Sequence, residues 1–161
     1  MEQPPRFFCD AMLGGLARWL RAAGYDARFD VHIRDGRLVR LSLEQGRWLL
    51  TSDSGIMKRY AVAEGLVDSL FVPRDLSPVE QLGHVLGRLD LSLREPRCMN
   101  CGAELDTVPL EQVADSVPPR ARDAYDRFFR CRGCGKVYWR GTHWTDIRRK
   151  LAEALRIADS V

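Results

Sequence analysis

The sequence predicts an α/β fold, a mainly parallel sheet flanked by helices, which is followed by a smaller unit and a C-terminal helix. Short apolar runs alternate with amphipathic segments over residues 6–89. Glycine ends three of these segments, and paired cysteines replace the alternation after Pro96. Such an alternation is typical of a parallel sheet with helices on both faces. We therefore predict two domains, residues 1–95 and 96–161.

Four short apolar runs are predicted to be the strands of this sheet. They comprise residues 6–9, 25–29, 47–51 and 68–72. Nearly continuous apolar sequence is expected of parallel strands that are covered on both faces. The third run, "RWLLT", changes abruptly into the polar stretch "SDSG". This change raises the question of why a buried strand ends beside a carboxylate.

Three amphipathic segments between the runs are predicted helices, because their apolar residues recur at the spacing of one helical face. They comprise residues 11–24, 34–46 and 54–65. Each ends in glycine, the residue that most often follows a helix. In the first of them, the spacing places Met12 on the buried face together with Leu16.

The fourth helix of the first unit and the final helix of the chain have clear sequence signals. Ser77 and Glu80 form a capping box with proline between them, which predicts a helix that begins at this point. Residues 143–161 form an amphipathic segment at the C-terminus. Its apolar side is predicted to include Ile147 and Leu151.

Composition and charge describe a folded, soluble protein. Hydrophobic residues make up 45% of the chain, charged residues make up 29%, and the formal net charge is +3. Residues 1–95 contain 13 Lys/Arg and 13 Asp/Glu, whereas residues 96–161 contain 12 and 9, so the excess lies in the second part. The sequence shows neither a signal peptide nor an apolar run of the roughly 18–20 residues that span a membrane. We therefore expect a cytoplasmic protein with no membrane partner.

Four of the five cysteines form two Cys-x-x-Cys pairs, each followed by glycine. They are Cys98, Cys101, Cys131 and Cys134. Two intervening residues allow one tight turn to direct both sulfurs at one ion, so two such turns predict a structural zinc site with four sulfur ligands. The redox alternative needs a pair at a helix start in a thioredoxin-like unit, which neither pair has. Cys9 is interpreted as a small core residue.

Aspartates follow three of the predicted strands. Asp10, Asp53 and Asp75 lie at these points, and Asp30 and Asp35 can reach the same edge of the sheet. Ligands of open α/β sheets bind at the carboxyl ends of the strands. Carboxylates that converge there suit a hard cation such as Mg²⁺ or Mn²⁺. The alternative is structural, since aspartate is also a favoured N-cap and turn residue.

Longer motifs resemble one known family. The segments "DAMLGGLARWLRAAGYDA", "RDGRLVRLSLEQGRWLLTSDSG" and "YWRGTHW" are similar to the PIN-like ribonuclease domain at the C-terminus of the Mut-seven exonuclease, and to stand-alone prokaryotic proteins that append a zinc ribbon. The resemblance covers about residues 6–150. It implies a PIN-like nuclease domain in residues 1–95 and a zinc ribbon with a C-terminal helix in residues 96–161.

The resemblance also implies an activity and its site. The family's acids fall on Asp10, Asp35 and Asp53, which are predicted to be catalytic and to bind Mg²⁺ or Mn²⁺. The predicted function is metal-dependent hydrolysis of RNA phosphodiester bonds, with single-stranded RNA as the partner. The family often has a row of acids where this chain has Asp35-Gly36-Arg37. The alternative is therefore a non-catalytic zinc-ribbon adaptor that binds RNA and retains a degenerate PIN-like site.

The predicted ribbon also offers a surface for RNA. Basic and aromatic residues are interleaved in it: Arg130, Arg132, Lys136 and Arg140 with Phe128, Phe129, Tyr138 and Trp139. Such a pattern suits contacts to phosphates and stacking on bases. The alternative is that the zinc site only stabilises a small domain. Arg18 and Arg21 of the first helix are further candidates for phosphate contacts.

Overall fold

Two β-sheets organise the chain in a computed structural model that describes residues 2–161. The first sheet is parallel, with strand order β2-β1-β3-β4, and the second is antiparallel, with order β5-β6-β7. The strands are β1 (Phe7–Cys9), β2 (Ala27–Phe29), β3 (Trp48–Thr51), β4 (Ser69–Phe71), β5 (Leu105–Val108), β6 (Phe128–Cys131) and β7 (Val137–Trp139).

Helices follow the strands of the parallel sheet, which confirms the predicted α/β class. Across the described chain they are α1 (Gly14–Ala22), α2 (Asp35–Gln45), α3 (Ser54–Met57), α4 (Tyr60–Ala63), α5 (Pro78–Arg88), α6 (Leu110–Val113), α7 (Pro119–Ala124) and α8 (Thr142–Ala158). A 3₁₀ turn, Ala114–Ser116, follows α6. The predicted capping box at the start of α5 is present, with both of its hydrogen bonds. Within residues 2–161, no helix combines the length and the apolar character needed to cross a membrane.

Strand β1 is buried on both faces of the parallel sheet. Phe7 and Cys9 belong to one hydrophobic core, which includes residues of α1 and α5. Phe8 points to the opposite face and joins a second core with Leu38 of α2 and Ile56 of α3. Because successive side chains of a strand alternate between faces, a short, fully apolar strand can join two cores at once.

Two details of the predicted helices are wrong. Met12 is 53% exposed, because α1 begins at Gly14 and Met12 lies in the preceding loop instead of on a helical face. Residues 54–65 form two short helices, α3 and α4. Arg59 interrupts them with an extended backbone, and its side chain reaches Asp35 at the start of α2.

The C-terminal helix packs closely against α5. An ideal Cβ at Gly83 would lie 2.6 Å from Ile157 Cγ2, and one at Gly87 would lie 2.7 Å from the Ala158 carbonyl oxygen. These glycines are four residues apart, so they lie on one face of α5, where they let the two backbones approach. The last helix therefore joins the helical layer of the first sheet, with Ile147 buried as predicted. The domain division at residue 95 stays a prediction.

We predict that Gly83→Ala destabilises the protein by about 1–3 kcal/mol, the usual cost of overpacking a close contact. The added methyl group would overlap the side chain of Ile157 and approach the carbonyl oxygen of Ala154 at 2.9 Å. Urea denaturation of the zinc-loaded protein, followed by circular dichroism, measures the change in the free energy of unfolding.

Gly36→Ala is the matched control for this experiment. Gly36 also lies in a helix, but the nearest atom to its ideal Cβ is 3.6 Å away. There alanine is expected to leave stability unchanged or to raise it by about 0.5–1 kcal/mol, because glycine has the larger backbone entropy in the unfolded chain. Equal effects of the two substitutions would contradict close packing of α5 on α8.

Candidate functional site

Asp10 lies where strand β1 ends, beside the end of β3. The backbone N–H of Asp10 donates to the carbonyl of Leu50 at 2.9 Å, which extends the pairing of β1 with β3. From β1 the chain passes through α1 to β2 on one side, and from β3 it passes to β4 on the other. The two strands therefore flank the topological switch point, where open α/β sheets bind their ligands.

The carboxylate of Asp10 is buried, with only 3% of the residue exposed. Its Oδ2 accepts hydrogen bonds from the Thr51 hydroxyl at 2.5 Å and from the Ser52 backbone N–H at 3.0 Å. Its Oδ1 accepts one from the Met12 backbone N–H at 2.8 Å. All three donors lie at or just after the ends of β1 and β3, so these two adjacent strands determine the orientation of the carboxylate.

In the described part of the chain, Asp10 has no positively charged partner. None of the ion pairs within residues 2–161 includes it. A buried charge is costly unless it is paired or binds a metal. An ionised carboxylate has about four lone-pair sites, so three donors leave a position open for a cation. The surroundings of Asp10 therefore suit a metal ligand.

Asp53 is linked to Asp10 through Thr51. The Thr51 hydroxyl that donates to Asp10 also accepts a hydrogen bond from the Asp53 backbone N–H at 2.9 Å. Asp53 is the N-cap of α3, and its Oδ1 accepts from the Gly55 backbone N–H at 2.7 Å. Its Oδ2 has no hydrogen-bond donor in the described part of the chain. One oxygen of Asp53 thus caps a helix, while the other is available to a ligand.

The other predicted acids lie around the same edge of the sheet but do not form a compact cluster with Asp10. Asp35 is the first residue of α2, half exposed, and its Oδ2 is 3.8 Å from Nη2 of Arg59. Asp30 is exposed, and its Oδ1 accepts from the His32 backbone N–H. Asp75 is exposed in the loop after β4. Across residues 2–161, Asp10, Asp35 and Asp53 do not form a set with all ligand atoms within 4.8 Å of one another.

The four predicted zinc ligands come together. Their sulfur atoms all lie within 4.8 Å of one another. Sγ of Cys98 is 3.7 Å from Sγ of Cys134, and Sγ of Cys101 is 3.3 Å from Sγ of Cys131. Sulfurs bound to zinc at ~2.3 Å in a tetrahedron stand about 3.8 Å apart. The cluster therefore fits a zinc ion, and its four sulfurs fill a tetrahedral coordination shell.

Tyr138 contributes a contact to this cluster that the spacing of the cysteines does not reveal. Its hydroxyl lies 3.1 Å from Sγ of Cys98. Burial raises the pKa of the Cys98 thiol, but hydrogen bonds from Tyr138 and from the Cys101 and Asn100 backbones outweigh it and lower the pKa to about 6. Since zinc binds the thiolate, Tyr138 favours the binding form. Cys9 differs, because burial raises the pKa of its thiol and favours the neutral form.

Arg21 connects the parallel sheet to the first cysteine turn. The residue is buried, and Nε donates at 2.9 Å to the carbonyl of Ala27, the first residue of β2. Nη1 donates to the carbonyls of Met99 and Asn100, which lie between Cys98 and Cys101. This buried position does not suit the phosphate contact for which Arg21 was one candidate. Its guanidinium instead joins the two units, and periodicity alone does not distinguish a buried arginine from an exposed one on the same helix.

Comparison with protein families gives a match that covers most of the chain. A family model described as the Mut7-C RNAse domain matches residues 5–151. No curated protein and no solved structure shows significant similarity to the chain. The matched range includes Asp10, Asp35 and Asp53, and it also includes both cysteine turns.

We predict that Arg21→Met destabilises the protein by about 2–4 kcal/mol, because carbonyls of Ala27, Met99 and Asn100 lose a buried donor. Chemical denaturation measures this loss. Arg18→Met is the matched control. Arg18 lies on the same helix but is exposed, so stability should change by no more than about 0.5 kcal/mol. A similar loss in both variants would mean that Arg21 does not join the two units.

We further predict that the protein binds one zinc ion and that Cys101→Ser loses most of it, because a hydroxyl is a poor replacement for a thiolate ligand. Elemental analysis of the purified proteins measures the zinc content. Cys9→Ala is the control, since Cys9 is the cysteine outside the cluster and should leave the zinc content unchanged. Retention of zinc by Cys101→Ser would contradict a site with four sulfur ligands.

Proposed function

Because this chain belongs to the Mut7-C RNAse domain family, we propose that it is a ribonuclease that hydrolyses RNA phosphodiester bonds with Mg²⁺ or Mn²⁺. The observation that carries this proposal is the buried carboxylate of Asp10 at the switch point of the parallel sheet, which has no positively charged partner within residues 2–161. Family membership indicates nuclease activity, and the oxygen ligands at this edge support the choice of a hard divalent cation.

Asp10 and Asp53 are the proposed metal ligands, and Asp35 completes the acidic edge. Thr51 and Ser52 hold the Asp10 carboxylate through two hydrogen bonds to Oδ2. This leaves Asp10 oriented before a ligand arrives, whereas Asp53 is oriented by its cap to α3. A divalent cation bound there would activate a water molecule and offset the negative charge that develops on the phosphate.

The four-cysteine cluster is proposed to have a structural role in this function. Four sulfurs leave no ligand position for water or substrate, which is typical of structural zinc. The cluster also organises the turn whose carbonyls bind Arg21. Zinc binding is therefore expected to fix the position of the second sheet relative to α1.

One observation favours the alternative function of an RNA-binding adaptor without activity. The side chain of Asp35 lies beside Arg59, and within residues 2–161 the three acids do not converge to a single cluster. An adaptor with a degenerate site would keep its RNA binding and would need no divalent cation. The cleavage experiment below distinguishes the two functions.

We predict that Asp10→Asn and Asp53→Asn each reduce cleavage of labelled single-stranded RNA by at least about 100-fold, because each removes a charged ligand of the catalytic cation. Cleavage by the wild type should require added Mg²⁺ or Mn²⁺. Gel analysis of the RNA products over time gives the rate, and circular dichroism with zinc analysis verifies that each variant is folded.

Asp68→Asn is the matched control, because Asp68 is exposed and directly precedes β4, at the opposite edge of the same sheet. Its rate should equal that of the wild type. Activity that survives in both folded site variants would reject Asp10 and Asp53 as ligands. A wild type that binds RNA but does not cleave it with either cation would favour the adaptor.

A further inference from the structure

A large cleft separates α1 from the antiparallel sheet. Its volume is about 780 Å³, and the residues used below to define it are Arg18, Phe129, Tyr138, Arg140 and Trp144. These come from α1, from the strands β6 and β7, from the short connection between β7 and α8, and from the start of α8. We call it the basic–aromatic cleft. It is separate from the acidic edge, and the proposed catalytic residues do not line it.

The charge of the cleft suits an anionic ligand. Six basic side chains line it, against the single carboxylate of Glu95. The six are Arg18, Arg97, Arg120, Arg127, Lys136 and Arg140. Within the described chain, Arg97 is the one member of this set that forms an ion pair, with Glu104 at 3.7 Å. The other five have no ion-pair partner within residues 2–161, as is expected of a surface that binds phosphate groups.

Aromatic rings lie among these charges. Phe129 and Tyr138 are paired residues of neighbouring antiparallel strands, so their side chains share one face of the sheet. The guanidinium of Arg140 lies 5.4 Å from the ring centre of Phe129 and 5.8 Å from that of Trp144. The ammonium of Lys136 lies 5.3 Å from that of Tyr138. Proteins bind single strands by stacking bases on aromatic rings and by placing basic side chains near the phosphates.

Successive side chains of β6 point to opposite faces of the sheet, so the basic and aromatic residues predicted to form one RNA-binding surface lie on two faces. Phe129 faces the cleft, whereas Phe128 is fully buried in the core on the other side of the sheet. Arg130 shares the side of Phe128 and donates to Gln112. Arg132 forms ion pairs with Glu104 and Asp106. These residues therefore do not form one continuous face, and the contacts left for a ligand lie in the cleft.

A smaller depression extends the cleft toward the acidic edge. It has a volume of about 320 Å³ and shares Arg18 and His143 with the cleft. Its far end is lined by Gly15, near the start of α1, and the loop before α1 begins at Asp10. Ala22, which lines the cleft, is about 10 Å from Gly15 along the helix axis. The two depressions thus lie side by side along α1, from the antiparallel sheet to Gly15 at the N-terminal end of the helix that follows Asp10 in the chain.

We propose that the basic–aromatic cleft binds single-stranded RNA, with bases stacked on Phe129 and Trp144 and phosphates near Arg18 and Arg140, and that the strand continues along α1 to the acidic edge. The proposal rests on the proposed function for the identity of the ligand as RNA. It assigns to the zinc-supported sheet a substrate-binding role in addition to its structural one.

The test is the binding of a fluorescently labelled, unstructured RNA, measured by anisotropy with zinc-loaded protein. The Asp53→Asn background without added Mg²⁺ or Mn²⁺ prevents cleavage of the probe. Phe129→Leu keeps an apolar side chain but loses the ring, and should weaken binding roughly 5- to 100-fold. Arg140→Gln should weaken binding about 3- to 10-fold and lower the slope of log affinity against log salt by about one.

Arg156→Gln is the control with the same loss of charge, because Arg156 is exposed near the end of α8 and outside the cleft. It should bind RNA as the background protein does. Unlabelled duplex RNA should compete less well than the single strand. Three results would each overturn the cleft as the binding site. They are equal losses of affinity in Arg140→Gln and Arg156→Gln, unchanged affinity in Phe129→Leu, and a greater loss in Arg130→Gln than in Arg140→Gln.

These results are separable from those for catalysis. Wild-type protein that binds RNA through the cleft but does not cleave it would reject the ribonuclease function and support the cleft. Protein that cleaves RNA while the cleft variants bind like the background would support the ribonuclease and reject the cleft. Absence of RNA binding in every protein would reject the cleft, and an anionic protein partner would then suit its charge.

Discussion

The candidate site depends on the hydrogen bonds that hold the buried carboxylate of Asp10. A charge in this position would be expensive, and the protein offsets part of the cost with three hydrogen bonds from Met12, Thr51 and Ser52. Two of these donors belong to the neighbouring strand or directly follow it. The parallel register of β1 with β3 therefore does more than build a core, because it also orients the carboxylate that is proposed to bind the cation.

The second sheet is attached to the first unit from two sides. Arg21 binds the carbonyls of the first cysteine turn, and α8 returns to α5, where Gly83 permits a close approach. Between these two attachments, the face with Phe129 remains separated from α1 by the basic–aromatic cleft. The four-cysteine cluster and the glycines of α5 thus determine a surface that neither unit contains alone.

Much of the fold could be predicted from the sequence, and particular residues show why the rest could not. Ser77 and Glu80 form the expected capping box because a cap depends on residues within one turn. The prediction that Met12 lies on a buried helical face was wrong, because the helix begins after it. The break between α3 and α4 at Arg59 accompanies a contact with Asp35, which is distant in sequence. The sequence pattern did not reveal that Thr51 binds Asp10, that Tyr138 contacts Cys98 or that Arg21 binds a cysteine turn. These contacts depend on partners from other elements.

Local sequence patterns predict the α/β class, place aspartates at the strand ends and pair the cysteines that fit a zinc ion, because periodicity and close spacing act over a few residues. The tertiary structure determines which of these groups meet. It linked Asp10 to Asp53 through Thr51, set Asp35 beside Arg59 and buried Arg21 against a cysteine turn. It also turned Phe129 toward the cleft and Phe128 away from it. These outcomes depend on strand register and on packing between distant segments, which local patterns do not encode.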